Sequence, residues 1–392
     1  MIYNLDYIKY LTDYDGTGSV ILDLPNYLFL VVVAISMKYI YRVPWPYIIA
    51  LILVSILPFF LNGLLFSPEY FPDQYRYWIL SNDFRNLDTS NFGVATSVDT
   101  ASILLSFIPI PTLFTISSLG FANRIIAVLL FVFLYRKGYL TSFSSWFFIL
   151  YPSFLLYSSL SLRDTLILML MFLSIVFLLE RKILLYSICI VFLFLVKFQN
   201  AIILFLLGIF TLIFRLSDTG VSFKKFLFLF IVSVVILISI SPFIIEPVNY
   251  YRQAMFIEDG GEGLVKPIAS ITDFILGLFS GTTKFLLMPT LFDAQGGMQL
   301  IQAVENLIVF SLMVVCFFRL VKNNVSRPFA LYWLFFMICC CGIYGLVVFN
   351  FGTAARYRFP FVLIFVVMVC YEGKKNEKNY NRSELSQNNF NI

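Results

Sequence analysis

Residues 163–197 read RDTLILMLMFLSIVFLLERKILLYSICIVFLFLVK, which is two apolar runs separated by a short charged turn. The runs cover residues 165–179 and 183–196, and the charges stand only at their ends. A helix of about 20 apolar residues crosses a bilayer, so both runs are shorter than a full span but have the apolar composition of one. This stretch predicts a pair of membrane helices joined by a tight turn.

The rest of the chain repeats this pattern. Of its 392 residues, 60% are hydrophobic and only 12% are charged, and no polar stretch is long enough to build a soluble core of its own. We therefore predict an all-α, polytopic integral membrane protein with about 11 transmembrane helices. The predicted spans are 24–37, 46–66, 116–135, 143–159, 165–179, 183–196, 201–214, 226–245, 300–318, 329–349 and 359–371.

Basic residues orient these spans, because loops on the cytoplasmic side are enriched in Lys and Arg. Groups such as Arg136-Lys137, Arg181-Lys182 and Lys374-Lys375 follow alternate spans. Placing these groups in the cytoplasm gives an outer N-terminus and a cytoplasmic C-terminus. The scheme requires residues 100–115, which contain two prolines, to lie at the surface or to re-enter the membrane.

This topology divides the chain into two parts. Residues 1–371 are expected to form one transmembrane domain with large outer loops at about 67–100 and 246–299. Within the second loop, the apolar segment 268–291 is a candidate re-entrant segment. Residues 372–392 are rich in Asn, Lys, Glu and Ser, which predicts a disordered cytoplasmic tail.

Several arginines fall on the predicted outer side, against the usual charge bias. Arg163, Arg356 and Arg358 all interrupt apolar stretches near the outer ends of spans. The guanidinium fork matches phosphate and carboxylate oxygens, so these three residues predict a binding site for an anionic, lipid-linked substrate. The alternative is that Arg163 pairs with Asp164 and that the other two extend to lipid head groups.

The first outer loop combines carboxylates, aromatic rings and an arginine. Residues 68–78 read PEYFPDQYRYW, and Asp73, Tyr75 and Arg76 are candidate contacts for a sugar, whose C–H faces stack on rings while its hydroxyls bond to carboxylates. Aromatic residues at a membrane interface are also common as simple belt residues. Both interpretations remain open for this loop.

The chain has no histidine, which excludes Ser-His triads, HExxH metalloproteolysis and acyl transfer that depends on a membrane histidine. A general base must then be another side chain, and Asp73, Asp164 and Glu305 are the carboxylates near the predicted outer surface. No Walker A or dinucleotide-binding motif is present. We expect no cofactor, no metal and no nucleic-acid partner.

Three short motifs resemble bacterial repeat-unit polymerases of the Wzy type and related membrane glycosyltransferases of the GT-C type. Residues 151–154 (YPSF) with 158–167 (SSLSLRDTLI) resemble the Pro-Ser and Arg-Asp helix start of such polymerases. Residues 350–361 (NFGTAARYRFPF) resemble their late Arg-Tyr-Arg-x-Pro-Phe element. Residues 71–75 (FPDQY) are similar to the acidic first outer loop of the broader class.

The resemblance implies a glycosyltransferase that polymerises oligosaccharide repeat units carried on undecaprenyl pyrophosphate, for O-antigen, other lipopolysaccharide or capsule. It implies no metal, because arginines would stabilise the pyrophosphate leaving group. Asp73 or Asp164 would then be the catalytic carboxylate. Arg163, Arg356, Arg358, Arg76 and Tyr75 would bind the pyrophosphate and the sugar. A chain-length regulator protein in the membrane is a further expected partner.

Three alternatives stay open. A membrane glycosyltransferase using a polyprenyl-phosphate sugar would share the fold and the arginines but add one sugar. A flippase for the lipid-linked oligosaccharide would be a transporter, expected to have two similar halves, and the sequence shows none. A structural assembly subunit would tolerate loss of Arg163 and Arg356.

Overall fold

The protein was analysed as a computed structural model that describes residues 21–67, 70–88, 92, 96–214, 223–258, 261–322 and 327–389. Within these ranges the regular secondary structure is helical, without strands. Six helices of the described chain are long and apolar enough to cross a membrane, which is compatible with a multi-pass membrane protein; about 11 spans stays a prediction. These six cover Leu24–Tyr41, Ser118–Arg136, Ile183–Thr211, Gly297–Val321, Phe329–Val347 and Phe351–Lys375.

The contacts group the chain into two compact units, Met1–Phe205 and Leu206–Ile392. A single transmembrane domain over residues 1–371 therefore stays a prediction. The first unit contains α1 (Leu24–Tyr41), α2 (Trp45–Val54), α3 (Pro58–Leu61), α4 (Asp73–Arg85), α5 (Ser97–Ser106), α6 (Ser118–Arg136), α7 (Ser142–Leu150), α8 (Pro152–Tyr157), α9 (Asp164–Leu179) and most of α10 (Ile183–Phe214).

Helix α6 is the centre of the first unit. Most of its side chains are buried, and it packs against α1 and α9. Helices α4 and α5, from the predicted outer loop, pack against each other. Helix α5 has 10 residues, and at about 1.5 Å per residue it is too short to cross a bilayer. The expectation that residues 100–115 lie at the surface or re-enter the membrane stays a prediction.

The predicted span 143–159 is broken in the structure. Helix α7 ends at Leu150 and α8 begins at Pro152, with Tyr151 between them in an extended conformation. The cause is Pro152, which lacks an N–H and disfavours helical geometry in the residue before it. The segment 143–159 is therefore two helices and not one, and its crossing of the membrane stays a prediction.

Helix α10 reverses direction at Lys197, whose φ and ψ are −155° and 86°. The hydroxyl of Tyr186 donates to the carbonyl oxygen of Leu204 at 2.8 Å. In a straight helix 18 residues would separate these two positions by about 27 Å, which no tyrosine side chain covers. The two halves thus fold back on each other, so Ile183–Thr211 is long enough to cross a membrane by residue count but consists of two segments. Two segments were predicted here, at 183–196 and 201–214.

The second unit is built on two tight helix contacts. It contains the end of α10, α11 (Phe223–Glu258), α12 (Ile271–Leu287), α13 (Gly297–Val321), α14 (Arg327–Val347) and α15 (Phe351–Asn389). Helix α12 packs closely on α14, since a Cβ placed on Gly345 would lie 2.2 Å from the carbonyl oxygen of Gly281. Only glycine at these positions permits so close an approach. The candidate re-entrant segment 268–291 is thus mainly one packed helix.

Helix α15 packs on α13 and α14, and residues Phe351–Lys375 are mostly buried. The helix continues to Asn389, so the described part of the predicted disordered tail, residues 372–389, is helical. A helix that is already formed extends readily, because each added residue gains a backbone hydrogen bond without a new nucleation cost.

Candidate functional site

Arg163 stands at the start of α9, where the first unit gathers several polar groups. Its Nη1 donates to Ser97 Oγ at 2.9 Å and to the carbonyl oxygen of Val196 at 3.0 Å. The guanidinium also lies over the Tyr77 ring, 5.9 Å from its centroid. Arg163 therefore links three elements: α4, α5 and the turn of α10.

The turn of α10 explains why Arg163 is held there. A break in a helix leaves carbonyl oxygens without their usual N–H partners, and an arginine at such an end compensates both the hydrogen bond and the local negative dipole. Val196 provides that carbonyl, and Lys197, which is buried, follows it directly. The turn therefore carries a second cation beside Arg163.

One edge of the Arg163 guanidinium remains open. Both of its hydrogen bonds come from Nη1, and Nε and Nη2 donate to no group among the residues that the structure describes. The side chain is only partly buried. The Nε–Nη2 edge is the planar fork that accepts two oxygens of a phosphate or carboxylate, so this arrangement suits an oxyanion.

Helix α4 is fastened to the segment that leads into Arg163. The amide oxygen of Gln74 accepts from the backbone N–H of Ser161 at 3.0 Å and from the Asn62 amide at 3.1 Å. Phe71 and Tyr157 add a ring contact, with centroids 6.4 Å apart. The predicted loop residues and Arg163 therefore belong to one assembly within the first unit.

The predicted residues of α4 differ in their surroundings. Asp73 is exposed in the first turn, a position that the helix dipole favours for a carboxylate. Arg76 is half-buried, whereas Tyr75 is 4% exposed and packs with Ile79 and Ile116. Of the three, Asp73 and Arg76 are accessible to a ligand, and Tyr75 is part of the core of this unit.

Asp164 is buried at 3% exposure, as the first residue of α9. The ion pair expected between Arg163 and Asp164 is not formed in the described chain, because Arg163 turns to Ser97 and Val196 instead. Adjacent side chains at a helix start point in different directions, so sequence neighbours seldom make such a pair.

Arg358, in the second unit, has a different environment from Arg163. It is 3% exposed, and its Nη1 donates to the carbonyl oxygens of Phe285 and Leu286 at 2.7 and 2.8 Å. Its Nη2 donates to Asn306 Oδ1. These contacts close the C-terminal end of α12, so Arg358 is held by the protein on both nitrogens.

Arg356 lies one turn from the start of α15 and is half-buried, with its guanidinium 5.8 Å from the Tyr357 ring centroid. Pro360, four residues later, cannot return an N–H to the Arg356 carbonyl oxygen, so the helix carries a local irregularity at this point. Glu305 is half-buried on α13. Because these residues belong to the second unit, convergence of Arg356 and Arg358 with Arg163 stays a prediction.

Sequence reasoning missed several members of the site. Gln74 and Ser97 carry no pattern that marks them, since one lies within a mixed helix and the other in a polar loop. Lys197 did carry a signal, a lone cation inside a long apolar stretch like that around Arg163. That signal places Lys197 among the basic residues on the predicted outer side.

The arrangement in the first unit combines an open guanidinium edge, a lysine in the same turn and an exposed carboxylate on a helix fastened beside them. Such a set binds an oxyanion and leaves a carboxylate to accept a proton from a hydroxyl. Within the described residues no group of three His, Cys, Asp or Glu side chains lies close enough to hold a metal ion.

Comparison with protein-family models, with curated proteins and with solved structures finds no match for this chain. The resemblance to Wzy-type polymerases therefore depends on the three short motifs, and a functional argument has to come from the residues themselves.

Proposed function

We propose that this chain joins oligosaccharide repeat units carried on undecaprenyl pyrophosphate into a surface polysaccharide at the periplasmic face of a bacterial inner membrane. A hydroxyl of the acceptor unit attacks the anomeric carbon of the growing chain. The bond from that carbon to the pyrophosphate oxygen breaks, and undecaprenyl pyrophosphate leaves. The hydroxyl proton passes to a carboxylate, so the step needs neither metal nor cofactor.

The observation that carries this proposal is the open Nε–Nη2 edge of Arg163 next to Lys197. Negative charge develops on the pyrophosphate as the glycosidic bond breaks, and preorganised cations stabilise that charge more than water does. Because Arg163 is already fixed by Val196 and Ser97, little reorganisation is needed when charge develops.

Asp73 is the proposed base. It is exposed, and its neighbour Gln74 is bonded to Ser161, two residues before Arg163. Asp164 is the second candidate, although its burial favours a role in fixing the start of α9. Arg356 and Arg358, in the second unit, stay predicted ligands of the pyrophosphate.

The experiment is deletion of the gene followed by gel analysis of lipopolysaccharide or capsule, with complementation by the parent chain and by variants. We expect the deletion to lose the ladder of polymer and to retain one repeat unit. A ladder that persists would contradict the proposal. Loss of a single sugar from each unit, measured by mass, would instead indicate a single-sugar transferase.

A flippase for the same lipid-linked oligosaccharide is the second candidate, and the reversal of α10 at Lys197 favours it. Transporters build substrate sites from interrupted membrane helices. The same deletion distinguishes the two, because loss of a flippase leaves the lipid-linked unit on the cytoplasmic leaflet. In that case no repeat unit would reach the outer surface.

A further inference from the structure

Arg124 is the most deeply buried charged residue of the first unit, and the proposed reaction does not use it. It lies in α6, within the span Ser118–Arg136, and its side chain is 1% exposed. Its Nε donates to Ser55 Oγ at 3.3 Å and its Nη1 to Ser158 Oγ at 2.8 Å. Among the described residues, no carboxylate contacts this guanidinium.

Two neutral hydroxyls do not balance a buried positive charge. An ionised group away from water is costly unless an opposite charge or a full set of hydrogen bonds compensates it. Arg358 shows the contrast, since it meets carbonyl oxygens at the negative end of a helix dipole. The two partners of Arg124, Ser55 and Ser158, are the C-cap residues of α2 and α8, but Arg124 bonds to their hydroxyls and to no helix-end carbonyl oxygen. A full negative charge is therefore still missing beside this guanidinium.

The groups around Arg124 also have unused hydrogen-bonding capacity. Ser159 Oγ and Asn123 Oδ1 are fully buried and have no hydrogen-bond partner among the residues that the structure describes. The Asn123 amide nitrogen donates to the carbonyl oxygens of Leu160 and Leu162, both at 2.7 Å, which fixes the orientation of this side chain. Buried polar groups without partners are rare in native proteins and need a specific reason.

The same segment is pressed against α6. A Cβ placed on Gly120 would lie 2.4 Å from the carbonyl oxygen of Ser159. This close approach brings the backbone of Ser159 to the face of α6 that carries Arg124, and Ser158, the preceding residue, contacts the guanidinium directly. Ser158 accepts a hydrogen bond from Arg124 and keeps its own proton for donation.

We propose that Arg124, with the hydroxyls of Ser158 and Ser159, binds a small monovalent inorganic anion of the halide class inside the first unit. One such ion balances one guanidinium, and both hydroxyls are donors. A phosphate group would bring more charge than a single arginine neutralises. The Asn123 oxygen is an acceptor and would repel the ion, so a water bound to the ion supplies the donor that this oxygen requires.

This site does not depend on the proposed function, and it is tested without an activity assay. The full-length protein in detergent is heated in sodium chloride, sodium bromide or sodium gluconate at one pH and one ionic strength, and its thermal midpoint is followed by tryptophan fluorescence. A ligand that binds only the folded state raises the midpoint. We expect chloride and bromide, but not gluconate, to raise it in a saturable way.

Variants assign the effect to the site. Arg124→Gln should remove the chloride dependence, whereas Arg136→Gln, the matched control at the exposed end of the same helix, should retain it. Ser159→Ala should raise the chloride concentration for half-maximal stabilisation about tenfold, as loss of a charge-assisted hydrogen bond does. In gluconate the same variant should be at least as stable as the parent, because an unpaired buried hydroxyl has been removed.

Two results would overturn the proposal. One is an equal midpoint in chloride and gluconate for the parent protein. The other is a chloride dependence unchanged from that of the parent in both Arg124→Gln and Ser159→Ala. If Arg124→Gln does not fold, Ser159→Ala alone decides between these outcomes.

Discussion

Nη1 of Arg358 lies 2.7 Å from the carbonyl oxygen of Phe285, so a residue in α15 closes the C-terminal end of α12. The same arrangement recurs elsewhere. Arg252 donates to the Leu346 carbonyl oxygen near the end of α14, and Arg85 to the Ser106 carbonyl oxygen at the end of α5. Arg358, Arg252 and Arg85 therefore stabilise helix ends, and Arg163 differs by keeping an open edge.

The first prediction is that Arg358→Ala destabilises the protein by about 2–4 kcal/mol, because several buried acceptors lose their donor at once. The thermal midpoint of purified protein measures this. Arg356→Ala is the control, since Arg356 is half-buried and should affect stability less. Equal midpoints for Arg358→Ala and the parent would show that the α12 end does not depend on this contact.

The second prediction is that Arg163→Lys keeps the fold but lowers polymerisation by roughly 10- to 100-fold. Lysine retains a charge and a donor for Val196, yet it lacks the planar fork whose charge-assisted hydrogen bonds the leaving group needs. Ladder intensity in complemented cells, normalised to protein level, measures the effect. Full activity in Arg163→Lys would show that the positive charge alone is needed at this position, and not the planar guanidinium fork.

The third prediction separates the two carboxylates. Asp73→Asn keeps shape and hydrogen-bonding reach but removes a base, so polymerisation should fall about 100- to 10,000-fold at normal expression. Asp164→Asn should weaken activity and lower expression, because Asp164 is buried at a helix start. A complete ladder from Asp73→Asn would exclude Asp73 as the base and direct attention to Asp164 and Glu305.

The fourth prediction concerns pH and Asp23, which precedes α1 and is 2% exposed. Burial raises the pKa of Asp23 above its ordinary value of 3.8, although hydrogen bonds from Thr115, Ser118 and Asn26 act in the opposite direction. A raised carboxyl pKa adds stability at low pH, and that contribution is lost as pH rises through the raised value.

Asp23→Asn should therefore lower the stability of the folded protein most at pH 4. The difference in stability between the parent and this variant should become smaller towards pH 7. Thermal midpoints of both proteins across this range provide the test. Asp83→Asn, at a half-buried position, is the control for the general effect of losing one carboxylate. A loss of stability in Asp23→Asn that grows with pH would contradict the inferred direction of the pKa shift of Asp23.

The fifth prediction concerns the contact between α12 and α14. Gly345→Ala places a Cβ against the backbone of Gly281 and should cost about 1–3 kcal/mol or more, because backbone cannot move aside as a flexible side chain does. Gly296→Ala, whose Cβ would meet nothing within 4 Å, is the control. Similar midpoints for the two variants would contradict the close packing.

Sequence patterns predicted the apolar helices because hydrophobic length is a local property. The same patterns missed the break at Pro152, since the apolar run continues through it. Charge bias singled out Arg163, but the residues that it contacts lie far from it in the sequence. Gln74 and Ser161, which are hydrogen-bonded to each other, are likewise 87 residues apart. Such pairings depend on how helices pack, and no periodicity in one sequence records them.

The reversal of α10 has a consequence for the surrounding lipid. Its first half, residues 183–196, is about 21 Å long, whereas the hydrocarbon core of a bilayer is about 30 Å thick. A hairpin shorter than the membrane draws the polar surface inward, by thinning of the bilayer around it. If the proposed function holds, hydrophobic mismatch at Lys197 and Arg163 would bring the head group of the carrier lipid down to the cations, so that its isoprenoid tail never has to leave the bilayer.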